Sequence, residues 1–110
     1  MIYSVDFDGT LCENNFPNVG KPNTELIEFL IQEQLNGNKL ILNTMREDFL
    51  LLIAVEWCKD HGLIFNAVND NLDELKKQYN NNPRKIYADV YIDDHNARYG
   101  ICTKLPFKEV

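Results

Sequence analysis

Apolar residues along the chain occur in two patterns, short continuous runs and longer stretches with a helical period. The short runs, at residues 2–7, 39–42, 63–68 and 88–92, have the length and composition of strands buried on both faces. Apolar residues spaced as on one face of a helix occupy residues 24–36, 47–61 and 71–79. Strands that alternate with helices at this spacing predict parallel crossover units. We therefore expect an α/β fold, a three-layer Rossmann-like parallel sheet with helices on both faces.

Capping residues set the expected helix boundaries. Asn23 is a good N-cap for the first helix, and Gly37 is placed to end it. Gly62 is placed to end the second helix. Residues 11–22 contain turn formers without a period, which predicts a loop or small hairpin after the first strand. The tail from residue 95 to 110 fits either an edge strand around 100–103 or a packed coil.

Length and charge restrict the class of protein. The 110 residues are enough for one domain, 1–110, and 45% of them are apolar. A formal charge of −6 argues against a dedicated nucleic-acid surface. The apolar run at residues 49–55 is too short to cross a membrane, and no basic leader precedes the first strand. Three widely spaced cysteines without a C-x-x-C pattern favour a reduced, cytoplasmic setting.

Two acids end the first strand, where the sequence reads Asp6-Phe7-Asp8-Gly9-Thr10. A buried charge without compensation costs several kcal/mol, so a positive partner is expected nearby. Gly9 lets the backbone turn, so that Asp6 and Asp8 can approach one point. One carboxylate could then attack while the other handles a proton. The alternatives are an N-cap pair or a solvated acidic turn; a calcium loop is excluded by Leu11 and Pro17.

The second and fourth strands also end in polar residues. The second is followed by Asn43-Thr44-Met45-Arg46 and then a helix, which suits phosphate binding. The alternative is that Thr44 is simply the N-cap of that helix. The fourth strand ends in Asp93-Asp94. Because parallel strands align their carboxyl ends, these acids should converge on Asp6 and Asp8, and all-oxygen ligation favours magnesium.

These segments resemble, in order, the four motifs of the haloacid dehalogenase-like (HAD) phosphohydrolase superfamily. Residues 6–10 match its D-x-D-G-T motif, Thr44 its second-strand hydroxyl, Lys85 its cation and Asp93-Asp94 its acidic pair. The segment 85–94 is similar to that of the deoxyribonucleotidase branch, although the lysine is slightly nearer the acidic pair. Segments 54–58 and 67–69 also resemble uncharacterised bacterial hydrolases. The resemblance covers most of residues 1–97.

The resemblance implies a phosphatase that works through an aspartyl-phosphate. Asp6 would be the nucleophile and Asp8 the general acid and base. Mg²⁺ would be bound by Asp6, Asp8, Asp93 and Asp94, with Asp8 contributing its carbonyl and Asp94 acting through a water. The phosphoryl group would be held by Thr44, Met45 and Lys85. Residues expected beside the site, in contact with substrate or with the residues that bind it, are Thr10, Arg46 and His95. For Thr10 we expect bracing of the turn.

The role of Lys85 depends on the path of the chain. Residues 85 to 93, if fully extended, would put Lys85 about 26 Å from Asp93. Lys85 reaches the site only if residues 80–87 loop back toward it. Otherwise Arg46 or Arg84 must supply the positive charge.

The spacing of the motifs leaves no room for the cap domain that many superfamily members insert. We therefore expect a capless HAD-like core with an open site. A large substrate or a neighbouring subunit of a homo-oligomer would have to cover it. The partner would be a small phosphorylated substrate or a phosphorylated macromolecule, and nucleotide monophosphates are an alternative substrate class.

Two rival interpretations keep a similar fold. The first is a catalytically weak regulatory module that binds magnesium or phosphate. The second is a phosphoacceptor receiver domain, in which the acidic pair usually comes first in the chain. Here the pair comes last, and Asp8 has no role in a receiver, so the order of motifs disfavours it.

Overall fold

The computed structural model describes residues 1–79, 82 and 85–93. The described elements, in chain order, are β1 (Ile2–Val5), β2 (Cys12–Asn15), β3 (Asn18–Pro22), α1 (Thr24–Leu35), β4 (Lys39–Leu42), α2 (Asp48–Asp60), β5 (Ala67–Val68), α3 (Asp73–Tyr79) and β6 (Val90–Ile92). They form a four-stranded parallel sheet flanked by helices, and a separate two-stranded hairpin. The mixed α/β architecture, compatible with a Rossmann-like fold, agrees with the prediction.

The parallel sheet has the strand order β5-β4-β1-β6, with β1 and β4 at its centre. In register, Val5 lies beside Leu42 on one side and Ile92 on the other. Backbone bonds continue past the strand ends: the N–H of Asp6 donates to Ile92 O at 2.9 Å, and that of Asn43 to Val5 O at 2.8 Å. Polar residues are thereby placed directly beyond the carboxyl ends of adjacent strands.

The hydrophobic core lies between this sheet and the two long helices. Val5, Leu40 and Leu42 of the central strands are fully buried. Leu30 of α1 and Cys58 of α2 belong to the same buried cluster. The apolar runs of the sequence therefore correspond to core strands, and the helical periods to the faces that cover them.

Helix capping follows the prediction for α1 and contradicts one alternative for α2. The Asn23 side chain accepts a hydrogen bond from the Leu26 N–H at 3.3 Å, as an N-cap does. The N-cap of α2 is Glu47, without a side-chain capping bond. The alternative that Thr44 is an N-cap is therefore wrong, and its hydroxyl serves another purpose.

Several predicted elements are shorter than their apolar runs. The third strand, expected over 63–68, is Ala67–Val68, and the fourth, expected over 88–92, is Val90–Ile92. The third helix begins at Asp73 and not at residue 71. Leu63 is fully buried although it lies outside any strand. An apolar run thus marks burial, whereas the length of a strand depends on how far a neighbouring strand pairs with it.

Residues 12–22 form an antiparallel hairpin, β2–β3, which is the second of the two structures that the sequence allowed there. The alternatives for the tail concern residues outside the described part of the chain. Within the described part, no helix has the length and apolar character needed to cross a membrane.

Candidate functional site

A cleft of about 700 Å³ opens at the carboxyl edge of the parallel sheet. It lies where the strands β1, β4 and β6 end, which is the usual ligand position in parallel α/β sheets. Residues from all three strand ends and from the β2–β3 hairpin line it: Ser4, Asp6, Asp8, Asn14, Phe16, Asn43, Thr44, Met45, Arg46, Tyr91, Ile92 and Asp93.

Asp6 occupies the position directly after β1. Its backbone N–H is held by Ile92 O, and its Oδ2 accepts a hydrogen bond from the Thr10 hydroxyl at 3.4 Å. Thr10 is buried, and its carbonyl accepts a bond from the Asn23 side chain at 3.0 Å. Thr10 does not line the cleft. It therefore braces the turn and the Asp6 carboxylate, as the sequence indicates.

A tight turn returns Asp8 to the same cleft. The N–H groups of Thr10 and Leu11 both donate to Phe7 O, at 3.1 and 3.0 Å. Gly9 adopts a φ of 84°, a conformation that costs glycine little and other residues more. Because the chain reverses within these residues, carboxylates two positions apart come to line one cavity.

Arg46 binds Asp8 through a bidentate ion pair. Nε donates to Asp8 Oδ2 and Nη2 donates to Asp8 Oδ1, both at 2.8 Å. The arginine side chain is 1% exposed and the aspartate side chain 19% exposed. Parallel N–H···O bonds of this kind are among the strongest side-chain interactions. The pKa of Arg46 is raised, mainly by its hydrogen bond to Asp8.

The same guanidinium contacts the hairpin and α2. Nη2 also donates to Asn18 O at 2.9 Å, and Nη1 donates to Leu50 O at 3.4 Å. The guanidinium carbon lies 5.0 Å from the centre of the Phe7 ring and 5.1 Å from that of Phe16. Arg46 is thus the positive partner of Asp8, a role that the sequence offered to Arg46 or Arg84 if Lys85 did not reach the site.

Thr44 is held between Arg46 and the end of β5. Its Oγ1 accepts a bond from the Arg46 N–H at 3.1 Å, and its own N–H donates to Asn69 Oδ1 at 2.7 Å. The hydroxyl proton remains to donate, since a hydroxyl is a donor as well as an acceptor. Met45 is 95% exposed and lies on the rim of the cleft. Both residues line the cleft, and their binding of a phosphate stays a prediction.

The oxygen atoms in the cleft have the chemistry that Mg²⁺ prefers. Among the residues described here, no three acidic, histidine or cysteine side chains are grouped as a metal site. The predicted Mg²⁺ site, however, needs only two carboxylates from the described residues, those of Asp6 and Asp93. Its third ligand from these residues is the backbone carbonyl of Asp8. Both carboxylates line the cleft, so the donor set fits the ion. Asp94, the remaining predicted ligand, lies outside the described residues.

Lys85 is not brought to the cleft. Its side chain is exposed, and its carbonyl accepts a hydrogen bond from the Asn71 side chain at 3.2 Å. It is not among the cleft residues, so the prediction that Lys85 binds the phosphoryl group is not supported by the geometry. Arg46, which lines the cleft, supplies a positive charge there instead. His95 lies outside the described residues.

Sequence reasoning missed several residues that line the cleft. Asn14, Asn43 and Tyr91 belong to this group. Asn43 directly follows a buried strand, which is a signal that could have identified it. Asn14 and Tyr91 carried no such signal, because hairpin pairing and the fold of residues 86–91 bring them to the cleft. Tyr91 anchors that segment by donating its hydroxyl to Ile86 O at 2.7 Å.

One solved structure is similar to this chain along its whole length. It is described as a conserved protein from Bacteroides thetaiotaomicron, and it is 35% identical. The match covers 100% of this chain and 92% of the other, with a TM-score of 0.82. The chain therefore belongs to the same protein family as that conserved protein. No family model and no curated protein matches the chain.

Proposed function

We propose that this protein is a magnesium-dependent phosphomonoester phosphatase with a capless HAD-like core, which acts through an aspartyl-phosphate intermediate. One observation carries the proposal: Asp6, Asp8, Thr44 and Asp93 line a single cleft at the carboxyl edge of the sheet. Two of them follow β1, and each of the others follows a strand adjacent to it. Three of the four sequence motifs thus contribute residues to one cleft, while Lys85, the motif that supplies the cation, is not among the cleft residues.

The chemistry divides between the two acids of the turn. An Asp6 oxygen attacks phosphorus, and the ester bond to the leaving oxygen breaks as Asp8 protonates that oxygen. In the second step Asp8 takes a proton from water, and the resulting hydroxide attacks phosphorus. The bond to Asp6 then breaks, which releases inorganic phosphate and regenerates the carboxylate. The bond from Thr10 orients Asp6 for both steps.

The residues that would hold Mg²⁺ are Asp6, Asp93 and the carbonyl of Asp8, with Asp94 in support. Bound there, the ion would offset the repulsion between an anionic nucleophile and an anionic ester, an effect worth several kcal/mol. The protein itself contributes the Thr44 hydroxyl and the fixed charge of Arg46, both at the cleft. The Thr44 hydroxyl can donate to the phosphoryl group, and the Arg46 charge supplies the positive potential that the sequence assigned to Lys85.

Substrate selection falls to the hairpin and the rim, since no residues of the described part of the chain form a cap over the cleft. Phe16 and Met45 are exposed apolar residues at its edge, and Asn14 adds an amide. An aromatic ring beside an amide suits a planar leaving group that also forms hydrogen bonds. This observation favours nucleoside monophosphates as a second substrate class beside simple phosphomonoesters. A homo-oligomer whose neighbouring subunit covers the cleft would serve the same end as a cap.

A cytoplasmic setting forms part of the proposal. Cys12 and Cys58 are both free and both buried in the core. Burial raises the pKa of the Cys58 thiol to about 12, which keeps it protonated and unreactive. Buried free thiols of this kind are consistent with a reducing compartment.

The test is phosphate release from a panel of phosphomonoesters that includes nucleoside monophosphates, with and without magnesium. Asp6→Asn should abolish turnover, because the amide oxygen is a poor nucleophile. Asp60→Asn is the matched control: it makes the same chemical change at an exposed residue of α2 that does not line the cleft. It should turn over at the wild-type rate.

Full activity in Asp6→Asn would exclude the covalent mechanism. Phosphate release that does not depend on magnesium would exclude the metal. If the wild type binds phosphate or magnesium and hydrolyses no ester, the regulatory module becomes the better interpretation.

A further inference from the structure

Arg46 connects three segments that are far apart in sequence. It donates to the Asp8 side chain after β1, to the Asn18 carbonyl in the hairpin and to the Leu50 carbonyl in α2. Nε, Nη1 and Nη2 all have an acceptor, and the side chain is almost fully buried. A guanidinium held this way has little freedom to leave its partners for a substrate.

The ion pair fixes Asp8 without blocking it. Each carboxylate oxygen has room for about two hydrogen bonds, and Arg46 uses one at each oxygen. The side chain keeps 19% exposure and lines the cleft. Asp8 can therefore contact a ligand in the cleft while the plane of its carboxylate stays fixed. Orientation matters greatly here, since a displacement of about 1 Å can reduce a rate by about a hundredfold.

The hairpin depends on the same residue at its far end. A two-stranded hairpin is marginally stable by itself. Its base is held by backbone bonds, from Gly9 N–H to Cys12 O and from Asn23 N–H to Leu11 O. Near its turn, Arg46 provides a hydrogen bond to Asn18 O and a cation–π contact with Phe16. Asn14 and Phe16 would lose this support if the guanidinium were removed.

We propose that Arg46 is a positioning residue of this site, which fixes the Asp8 carboxylate and holds the β2–β3 hairpin against the cleft. The first half of this statement rests on the proposed phosphatase function. The second half does not, since it concerns the hairpin alone.

The first experiment compares two esters with Arg46→Lys. Lysine keeps the charge and loses the planar fork. An alkyl phosphate needs a proton from Asp8 for its leaving oxygen, whereas p-nitrophenyl phosphate has a leaving group that departs unprotonated. We expect kcat/KM for the alkyl ester to fall by about a hundredfold. For the aryl ester the loss should stay below about tenfold, because it escapes general acid catalysis, which is worth about 10²- to 10⁴-fold.

Asp8→Asn should give the same split between the two esters, because it removes the proton donor itself. Equal losses for the two esters in Arg46→Lys would overturn the positioning role, since that is what general structural damage produces. If the wild type hydrolyses neither ester, the phosphatase proposal fails. The role of Arg46 in holding the hairpin is then tested by the second experiment alone.

The second experiment measures amide hydrogen exchange in the same variant. Exchange at residues 14–19 should become faster, while amides of β4 and α1 stay as protected as in the wild type. Unchanged exchange in the hairpin would overturn the anchoring role. If Arg46→Lys does not fold, Asp8→Asn gives the same measurement, because it removes the partner that orients the guanidinium.

Discussion

Polar side chains lie at both ends of the parallel sheet, and their partners differ. At the amino end, Asp89 accepts from the Ile2 N–H at 2.7 Å, and Asn66 accepts from the Leu40 N–H at 2.9 Å. At the carboxyl end, Asp6, Asp8 and Asp93 all line the cleft, and Asp8 binds the buried Arg46 side chain. Side chains at the amino end complete the backbone bonding of the strands. Those at the carboxyl end are held mainly by other side chains and face an open cavity.

The difference shows what an acid near a strand can be used for. A carboxylate that accepts backbone N–H bonds is already satisfied and has a structural role, as at Asp89. A carboxylate that lines a cleft beside a guanidinium and a hydroxyl is accessible to a ligand. Asp residues at the two ends look alike in the sequence, and only their surroundings separate them.

The largest expected effect on this comparison between the two ends of the sheet comes from removing the buried guanidinium of Arg46. Arg46→Met should lower the free energy of unfolding by about 3–5 kcal/mol, because it leaves the Asp8 charge without its partner. Urea denaturation followed by Trp57 fluorescence measures it. Lys76→Met is the matched control, since Lys76 pairs with Asp70 at 2.9 Å in a partly exposed position. That variant should lose less than about 1 kcal/mol. Equal losses would mean that burial does not distinguish the two ion pairs.

Two asparagines that flank β5 give a more closely matched test. Asn69 accepts from the Thr44 N–H at the carboxyl end, and Asn66 accepts from the Leu40 N–H at the amino end. Each alanine variant should lose about 1 kcal/mol of stability for the hydrogen bond. Asn69→Ala should lose roughly 1 kcal/mol more, because its φ of 52° disfavours alanine.

The two variants should differ most in activity. Asn69→Ala releases Thr44, and we expect phosphatase kcat/KM to fall by about tenfold to a hundredfold. Asn66→Ala should keep the wild-type value, because it lies at the other end of β5. A comparable loss of activity in both variants would show that the effect comes from general destabilisation and not from Thr44.

The smallest expected effect is on the pH dependence of stability, through Asp89 at the amino end of the sheet. The pKa of Asp89 is lowered, first by the hydrogen bond from the Ile2 N–H and then by that from Tyr87. The ionised form is thus favoured in the folded protein. Its stabilising contribution is present above the unfolded pKa of about 3.9 and is lost as the pH falls below it.

Asp89→Asn should therefore show a smaller decrease in the urea midpoint between pH 6 and pH 3 than the wild type. The effect should be modest, since Asp89 is exposed. Parallel pH dependence in the two proteins would show that this hydrogen bond does not favour the ionised carboxylate.

The fold was largely predictable because its signals are local. The period of the apolar residues located α1 and β4, and Asn23 marked the start of α1. The lengths of β5 and β6 were not predictable, because they depend on how far a neighbouring strand pairs. The hairpin remained one of two alternatives, since residues 11–22 contain no period that decides between them.

The candidate site was predictable in its acids, whereas for its cation the sequence left Lys85, Arg46 and Arg84 open. Asp6, Asp8 and Asp93 follow apolar runs, so parallel topology alone brings them to one edge. Lys85 was assigned through a resemblance, and the path of residues 85–87 leaves it exposed outside the cleft. Arg46 lies two residues after Thr44, and no sequence pattern indicated which acid it would bind.

The sequence by itself determined the order of strands and helices, the core and the acids at the strand ends, because burial and capping depend on neighbouring residues. Only the tertiary structure decided which charged side chains form ion pairs. The pair between Arg46 and Asp8 joins residues that are 38 positions apart, and it forms because the turn at Gly9 and the end of β4 meet at the sheet edge. Contacts of this kind depend on packing across the chain, which no local pattern records.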